Sequence, residues 1–274
     1  MRNRMVSQNL AKSTIEGYVY GARQLAVYCQ KEFTQIDTDE VYAFLCHLKE
    51  ERGLSRQTMR IAVSGIKYLY THLLSREDIV REVPYPKQEK YLPEILTGQE
   101  VKRLLDKTSN LKHRAFLKLV YSAGLRRSEA CSLLLSDVDF KAMQIRIRQG
   151  KGRKDRYATL SHDAAIDLKK YIRHIKPEKY LFHGHSRGTR LSDESARWAM
   201  TQALKRAGIS KKVSLHSLRH SFASHSLSLG ANLLTIQNLL GHEDIRTTMV
   251  YLHINQLVAT PFKNPLDVIY PSGK

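Results

Sequence analysis

The sequence predicts a mainly α fold carrying a small antiparallel β-sheet, divided between an N-terminal helical domain and a larger α+β domain. Three observations predict it. Apolar residues recur at helical spacing from the N-terminus with almost no strand character; a charged run with three prolines, REVPYPKQEKYLP, then interrupts the pattern. Beyond it, one stretch alternates apolar and polar residues around a Gly-Lys-Gly tip before helices return. At 274 residues the chain exceeds the commonest single-domain size, so two domains, each with its own core, are expected. The boundaries read as a helical domain at 1–88, a linker at 89–93 and the second domain at 94–274.

Each element has a local signal. STIEGYVYGARQLAVYC predicts a helix opened by a capping box from Ser13 to Glu16, with Ile15, Tyr18, Ala22, Leu25 and Cys29 on one face. DTDEVYAFLCHLKEERG repeats the device with Asp37 and Glu40, and Gly53 supplies a left-handed stop. The next helix starts at Ser55, with Leu54 and Met59 spaced as a hydrophobic staple. In the second domain a capping box runs from Thr97 to Glu100, the helix LKHRAFLKLVYSAG closes at Gly124, and Ser128 is placed to cap the next helix. Met143, Ile145 and Ile147 alternate with polar residues in a β-hairpin with basic flanks. Helices return in SDESARWAMTQALKRAG, HSLRHSFASHSLSLG, where Leu218, Phe222 and Leu229 can face a core, and NLLTIQNLLG.

Charge narrows the function classes. Lys plus Arg number 45 against 26 Asp plus Glu, a formal net charge of +19, and the isoelectric point is near 9.9. Such an excess points to a polyanion, most often nucleic acid. An anionic membrane surface would want the basic residues gathered on one amphipathic helix, whereas here they are spread along the chain. No segment reaches the 18 or so apolar residues of a membrane span, and no apolar run succeeds the basic N-terminus as in a secretory signal. Cys29, Cys46 and Cys131 are odd in number and widely spaced, and read as buried thiols in a reducing cytoplasm.

Four stretches can do chemistry. In HSLRH, His216 and Arg219 share a helix face, and His216 and His220 are spaced as a metal pair, but no H-E-x-x-H carboxylate and no third ligand accompany them. In GLRRSE, Arg126 sits at a turn beside a helix N-terminus, with Glu129 close enough to orient it; an ordinary loop ion pair would read the same. At QGKGRKDR, Lys151 lies between two glycines amid Arg146, Arg148, Arg153, Lys154 and Arg156, a field that attracts phosphate, or simply a solvated turn. In GHEDIRTTMVYLH, His242 and Tyr251 are nine residues apart. Nine steps of about 100° put them on opposite sides of one continuous helix. They meet only if the helix breaks; Gly241 can end one helix, and Asp244 or Thr247 can cap another.

Taken together, GLRRSE, GKG at a hairpin, HSLRH, LLGH and a tyrosine nine residues later resemble the tyrosine recombinase (phage integrase) family, its Xer and integron-integrase branch in particular. Any one motif is weak, but five in register across residues 124–251 are specific. The first domain resembles the family's core-binding domain, with GLSRQT opening a helix, so the resemblance covers nearly the whole chain. Helices begin within the first fifteen residues, so no separate arm-binding domain is expected in front. SAG before Arg126 and Ala130 depart from the commoner Thr-Gly and Leu; the segment after Tyr251 carries three prolines, and the insertion that marks integron integrases is missing.

The resemblance implies an α+β catalytic domain that cleaves and rejoins DNA through a 3′-phosphotyrosyl intermediate, with no metal, cofactor or ATP. Tyr251 matches the nucleophile, Arg126 and Arg219 the arginines on the non-bridging oxygens, and Lys151 the general acid for the 5′-oxygen. His216 matches a general acid or base, His242 a phosphate donor and Glu129 the support of the first arginine; Arg146, Arg148, Arg153, Lys154 and Arg156 are expected to bind DNA. Partners implied are double-stranded target sites and further copies of the chain, a tetramer on DNA, in the cytoplasm. A phenol of pKa about 10 is scarcely ionised at neutral pH, so the guanidinium cluster is expected to lower its pKa or a histidine to take its proton. A catalytically silent DNA binder would fit the charge equally but has no need of this residue set. A histidine metalloenzyme lacks a ligand set, and a type IB topoisomerase would bring a large clamp.

Overall fold

The computed structural model describes residues 1–87, 93–148, 155–186 and 188–256, with side chains through Leu252. It divides into two compact units, Met1–Tyr91 and Leu92–Lys274.

The first unit is helical: α1 (Arg2–Ser7), α2 (Lys12–Cys29), α3 (Thr38–Glu50) and α4 (Arg56–His72). The Asp37–Glu40 capping box forms, and the Ser55 hydroxyl accepts from the Thr58 amide, as expected. The Ser13–Glu16 box does not. Here α2 starts earlier, with Ala11 at its N-cap and no side-chain cap, so Ser13 is already inside the first turn and Glu16 turns toward Lys12 at 3.9 Å. The helices α2 and α4 pack almost backbone to backbone. A Cβ at Gly65 would lie 2.3 Å from the Tyr18 carbonyl oxygen, and one at Gly21 would lie 2.6 Å from Ala62 Cα. Any side chain there would separate the two helices. Around this contact Leu25, Val41, Phe44, Val63, Ile66 and Tyr70 form the core, each worth about 2 kcal/mol of apolar burial. Of the three cysteines only Cys131 is buried; Cys46 is exposed because it sits two residues past Phe44, turned away from the face of α3 that packs.

The second unit runs α5 (Gly98–Asp106), α6 (Leu111–Ser122), α7 (Arg127–Ser132), β1 (Val138–Asp139), β2 (Gln144–Ile147), β3 (Arg156–Thr159), α8 (His162–Ile175), α9 (Asp193–Ala207), α10 (Leu215–Ser228), α11 (Leu233–Leu240) and α12 (Ile245–Gln256). Its sheet is antiparallel in the order β1-β2-β3, with Ile145 opposite Ala158 and Ile147 opposite Arg156. Ile145 and Ile147 face inward, onto a core with Phe116, Leu119, Leu168 and Tyr171 from α6 and α8, while Gln144 and Arg146 face out. The two-residue β1 adds a strand to the expected hairpin. The tip with Lys151, Arg153 and Lys154, most of the expected linker and the proline-bearing C-terminal segment lie outside the described residues. Thr97 and Glu100 form their capping box. Leu229, expected toward a core, comes just after the last residue of α10 and is 88% exposed. Among the described residues no helix is long and apolar enough to cross a membrane.

Candidate active site

Two glycines place the site. At Gly124, with φ +58°, the chain leaves α6 so closely against Leu240 and Phe222 that a Cβ would sit 2.7 Å from either side chain. Two residues later Arg126, not Ser128, is the N-cap of α7, because the Glu129 carboxylate reaches back to accept from the Arg126 amide at 2.8 Å. That same carboxylate accepts from Arg126 Nη1 at 2.9 Å, and Arg126 Nη2 donates to the Gly241 carbonyl at 3.2 Å.

Glu129 gathers more than one cation. Arg156, from the start of β3, meets it with both Nη atoms, at 2.8 and 2.7 Å, and Arg219 Nη1 stands 3.8 Å away. Burial pushes the Glu129 carboxyl up, but the Arg156 hydrogen bonds and charge, joined by Arg126, outweigh it and hold the group down at about 2. Arg219 lies on α10 and is fully buried, with Nη1 donating to the Gly124 carbonyl and Nη2 to the Leu240 carbonyl, both at 2.7 Å. Burial first, then the Arg126 charge, lowers its pKa to about 10, which still leaves a cation at neutral pH. Its Nε is buried without a partner among the described residues, a free donor in a cationic pocket.

The expected helix break occurs. At Gly241, with φ +63°, α11 stops, and the Asp244 carboxylate accepts from the Arg246 amide at the head of α12; Thr247 lies inside that helix. The break brings His242 onto Tyr251, rings stacked with centroids 6.3 Å apart and planes 15° apart. Thr248 Oγ1, 2.9 Å from His242 Nδ1, fixes that imidazole and leaves Nε2 as the nitrogen able to meet a ligand. Tyr251, 1% exposed, places its hydroxyl 2.9 Å from His220 Nδ1. His216, exposed one turn before His220, packs against that ring edge to face at 4.3 Å.

The electrostatics correct one expectation. Arg219 and Arg126 do pull the Tyr251 phenol down, but burial outweighs them and pushes it up to about 12. Burial likewise depresses His220 to about 4, with His216 and Arg219 adding to it, and His242 to about 3, with Arg219 and Arg126 adding. Both rings are neutral at physiological pH.

The structure thus brings Arg126, Glu129, His216, Arg219, His242 and Tyr251 into one neighbourhood. Of the cations expected on DNA, Arg146 pairs with Asp155 and Arg148 with Asp137, both with about half of the side chain in solvent. Arg156 instead turns inward, 11% exposed, with Nε on the Leu239 carbonyl and its fork on Glu129. Its role as the second brace of Glu129 was missed, as was the place of His220 against Tyr251; in the sequence both were visible only as members of a basic run and of a histidine pair. Among the described residues no group of three His, Cys, Asp or Glu could hold a metal ion.

Comparison with known proteins finds matches for both units. Residues 94–257 match the phage integrase family, and residues 1–78 match the phage integrase N-terminal SAM-like domain. A putative integrase/recombinase of Sinorhizobium fredii is 35% identical over 268 residues, covering 96% of this chain and 87% of that protein. The tyrosine recombinase XerC of Halalkalibacterium halodurans is 34% identical over 275 residues, covering 92% of this chain and 90% of its own. Among solved structures, the XerH site-specific recombinase bound to a palindromic difH substrate in a post-cleavage complex superposes with a TM-score of 0.76 over 97% of this chain and 81% of that one. Its identity is 20%, so this likeness is one of fold.

Proposed function

The chain belongs to the phage integrase family and is a site-specific tyrosine recombinase that works through a covalent intermediate, and from that premise we propose that Tyr251 is its nucleophile and Arg126 and Arg219 its phosphate clamp. The observation that carries the assignment is the convergence on one carboxylate. Glu129 binds Arg126 at 2.9 Å and has Arg219 at 3.8 Å, and Arg219 in turn holds the carbonyl of Leu240, against which Tyr251 packs.

In the proposed reaction the Tyr251 oxygen bonds to phosphorus as the bond to the 5′-oxygen breaks, leaving a 3′-phosphotyrosyl link and a free 5′-hydroxyl. The phenol proton must leave and a proton must reach the 5′-oxygen. Lys151 is assigned the second task and His216 the acid–base exchange with the phenol. Negative charge that grows on the non-bridging oxygens meets two guanidinium groups, whose forked donors suit it better than a lysine does. Arg219 Nε, a buried donor with no partner among the described residues, is assigned to such an oxygen, and His242 Nε2 is a second. The phosphotyrosyl link keeps the energy of the phosphodiester, so rejoining is the same step reversed and needs neither ATP nor metal. Exchange between two duplex sites takes four cleavages, which suggests four copies of the chain on DNA, acting in the cytoplasm; Arg146, Arg148, Arg153 and Lys154 are proposed to meet the backbone.

The test begins with duplexes selected by the protein from a randomised library. Remade with a nick beside the cleavage position, they should trap a covalent adduct that survives denaturant with wild type and not with Tyr251→Phe. An adduct that persists in the variant removes Tyr251 from the mechanism.

A further inference from the structure

Arg156 has no part in the phosphate clamp, yet its three side-chain nitrogens are all committed inside the site. Nε donates to the Leu239 carbonyl at 3.1 Å, Nη1 to Glu129 Oε1 at 2.8 Å and Nη2 to Glu129 Oε2 at 2.7 Å. Arg219, by contrast, keeps its Nε without a partner among the described residues. We propose that Arg156 is a positioning residue for DNA cleavage: by saturating and neutralising Glu129, it lets that carboxylate orient Arg126 while the charge of Arg126 and Arg219 stays available to the phosphate. The proposal rests on those two arginines being the clamp.

Three observations carry it. The first is how Glu129 is filled. Its Oε1 accepts from Arg126 Nη1 and Arg156 Nη1, and its Oε2 from the Arg126 amide and Arg156 Nη2. Without Arg156 each oxygen loses a donor, and the next cation in reach is Arg219, whose Nη1 stands 3.8 Å from Oε2. A carboxylate closing on Arg219 would compete with the phosphate for its charge. The second is the charge balance. Three guanidinium groups around one buried carboxylate leave two positive charges for the phosphoryl oxygens, and without Arg156 they leave one, where burial strengthens every such interaction. The third is the frame. Three successive carbonyls at the end of α11, those of Leu239, Leu240 and Gly241, accept from Arg156, Arg219 and Arg126 in turn. One helix end, where carbonyls lack helical donors and the dipole is negative, thus holds all three arginines. A Cβ on Gly241 would meet Arg156 Cδ at 2.8 Å and Nε at 3.1 Å, so the seat of this guanidinium is built into the break before α12.

Nicked duplexes read this when the cleavage position carries either the native phosphate or a methylphosphonate, in which a neutral methyl group replaces one charged oxygen. Single-turnover strand cleavage by full-length Arg156→Gln should be about ten- to a thousandfold slower than wild type on the phosphate. On the methylphosphonate, with less charge to meet, that deficit relative to wild type should shrink, a recovery that loss of packing would not produce. Glu129→Gln combined with Arg156→Gln removes the anion together with its counter-cation, and should cleave the phosphate faster than Arg156→Gln alone. Wild-type cleavage by Arg156→Gln overturns the proposal; so does a deficit that fails to shrink, or a double variant no faster than the single one. Denaturant midpoints check folding. If Arg156→Gln does not fold, Glu129→Gln is compared with the double variant: once the carboxylate is neutral, removing Arg156 should slow cleavage less than about fivefold, and a larger loss overturns the proposal. Arg219→Ala on the same two duplexes tests the clamp itself, and should be slow on the phosphate and recover on the methylphosphonate. Wild-type cleavage by Arg219→Ala removes the clamp assignment, whereas its recovery without that of Arg156→Gln removes only the role of Arg156.

Discussion

Helix α10 carries two tyrosine–histidine pairs that are nearly copies of one another. His220 Nδ1 meets the Tyr251 hydroxyl at 2.9 Å, and His225 Nδ1 meets the Tyr121 hydroxyl at 2.9 Å. Burial raises both phenols and lowers both imidazoles. Five residues separate the histidines, about 500° of helical turn, so the pairs look out in different directions. The difference lies in what surrounds them. Arg219 and Arg126 act on Tyr251, while burial alone accounts for the shift of Tyr121. If Tyr251 is the nucleophile, as proposed, then what marks it is not the histidine contact, which both pairs have, but the guanidinium groups beside it.

The sharpest way to break this comparison is Arg219→Lys. Lysine keeps the charge but cannot span the Gly124 and Leu240 carbonyls or offer a forked donor. Single-turnover adduct formation should fall by at least about 10³-fold, in line with the loss of one arginine in other phosphoryl transfers, while DNA binding at fixed salt changes far less. If cleavage survives the exchange, the cations are not what separates Tyr251 from Tyr121.

Much of the frame was legible from local chemistry. Asp37 with Glu40, Ser55 and Thr97 with Glu100 cap their helices because a cap needs only residues three apart. The break was offered by Gly241 and a cap at Asp244, and helical phase made it the condition for His242 to meet Tyr251, which it does. What stayed hidden depends on distant chain. Arg156 reaches Glu129 across 27 positions and His220 reaches Tyr251 across 31, and no spacing rule encodes either. The inferred drop in the Tyr251 pKa failed for the same reason. Nearby arginines can be read from motifs, whereas the burial that outweighs them depends on the packing of α10, α11 and α12.

Acid should separate the two pairs by pH. The folded-state pKa values of His220, His242 and His225 lie below that of free histidine, so the unfolded chain binds protons first and stability falls as pH drops from about 6.5 toward 4, a loss both pairs share. Glu129 behaves differently in range. Its folded value of about 2 lies below the ordinary 4.3 or so, so its contribution is complete above about pH 4.5 and is lost as pH falls toward 2. That second loss, about 3 kcal/mol, belongs only to the side with the cations. Glu129→Gln should remove the lower limb of the stability profile and cost about 3–5 kcal/mol at neutral pH, since Arg126 and Arg156 lose their counter-charge. Denaturant midpoints across pH check both; an unchanged acid limb would show that Glu129 does not hold the cluster.

The smallest expected effect is the most direct control. Tyr121→Phe removes the same hydroxyl from the other pair, leaving the His225 imidazole without its partner at 2.9 Å. Because Tyr121 is only half-buried, water can reach the vacated nitrogen, and the cost should stay near 1 kcal/mol of stability, the net value of an ordinary hydrogen bond. Adduct formation on nicked duplex should match wild type, while Tyr251→Phe, the same deletion made next to Arg219, abolishes it. Loss of cleavage in Tyr121→Phe with its midpoint nearly unchanged would mean that α10 couples its two pairs, and that the guanidinium surroundings alone do not account for the reactivity assigned to Tyr251.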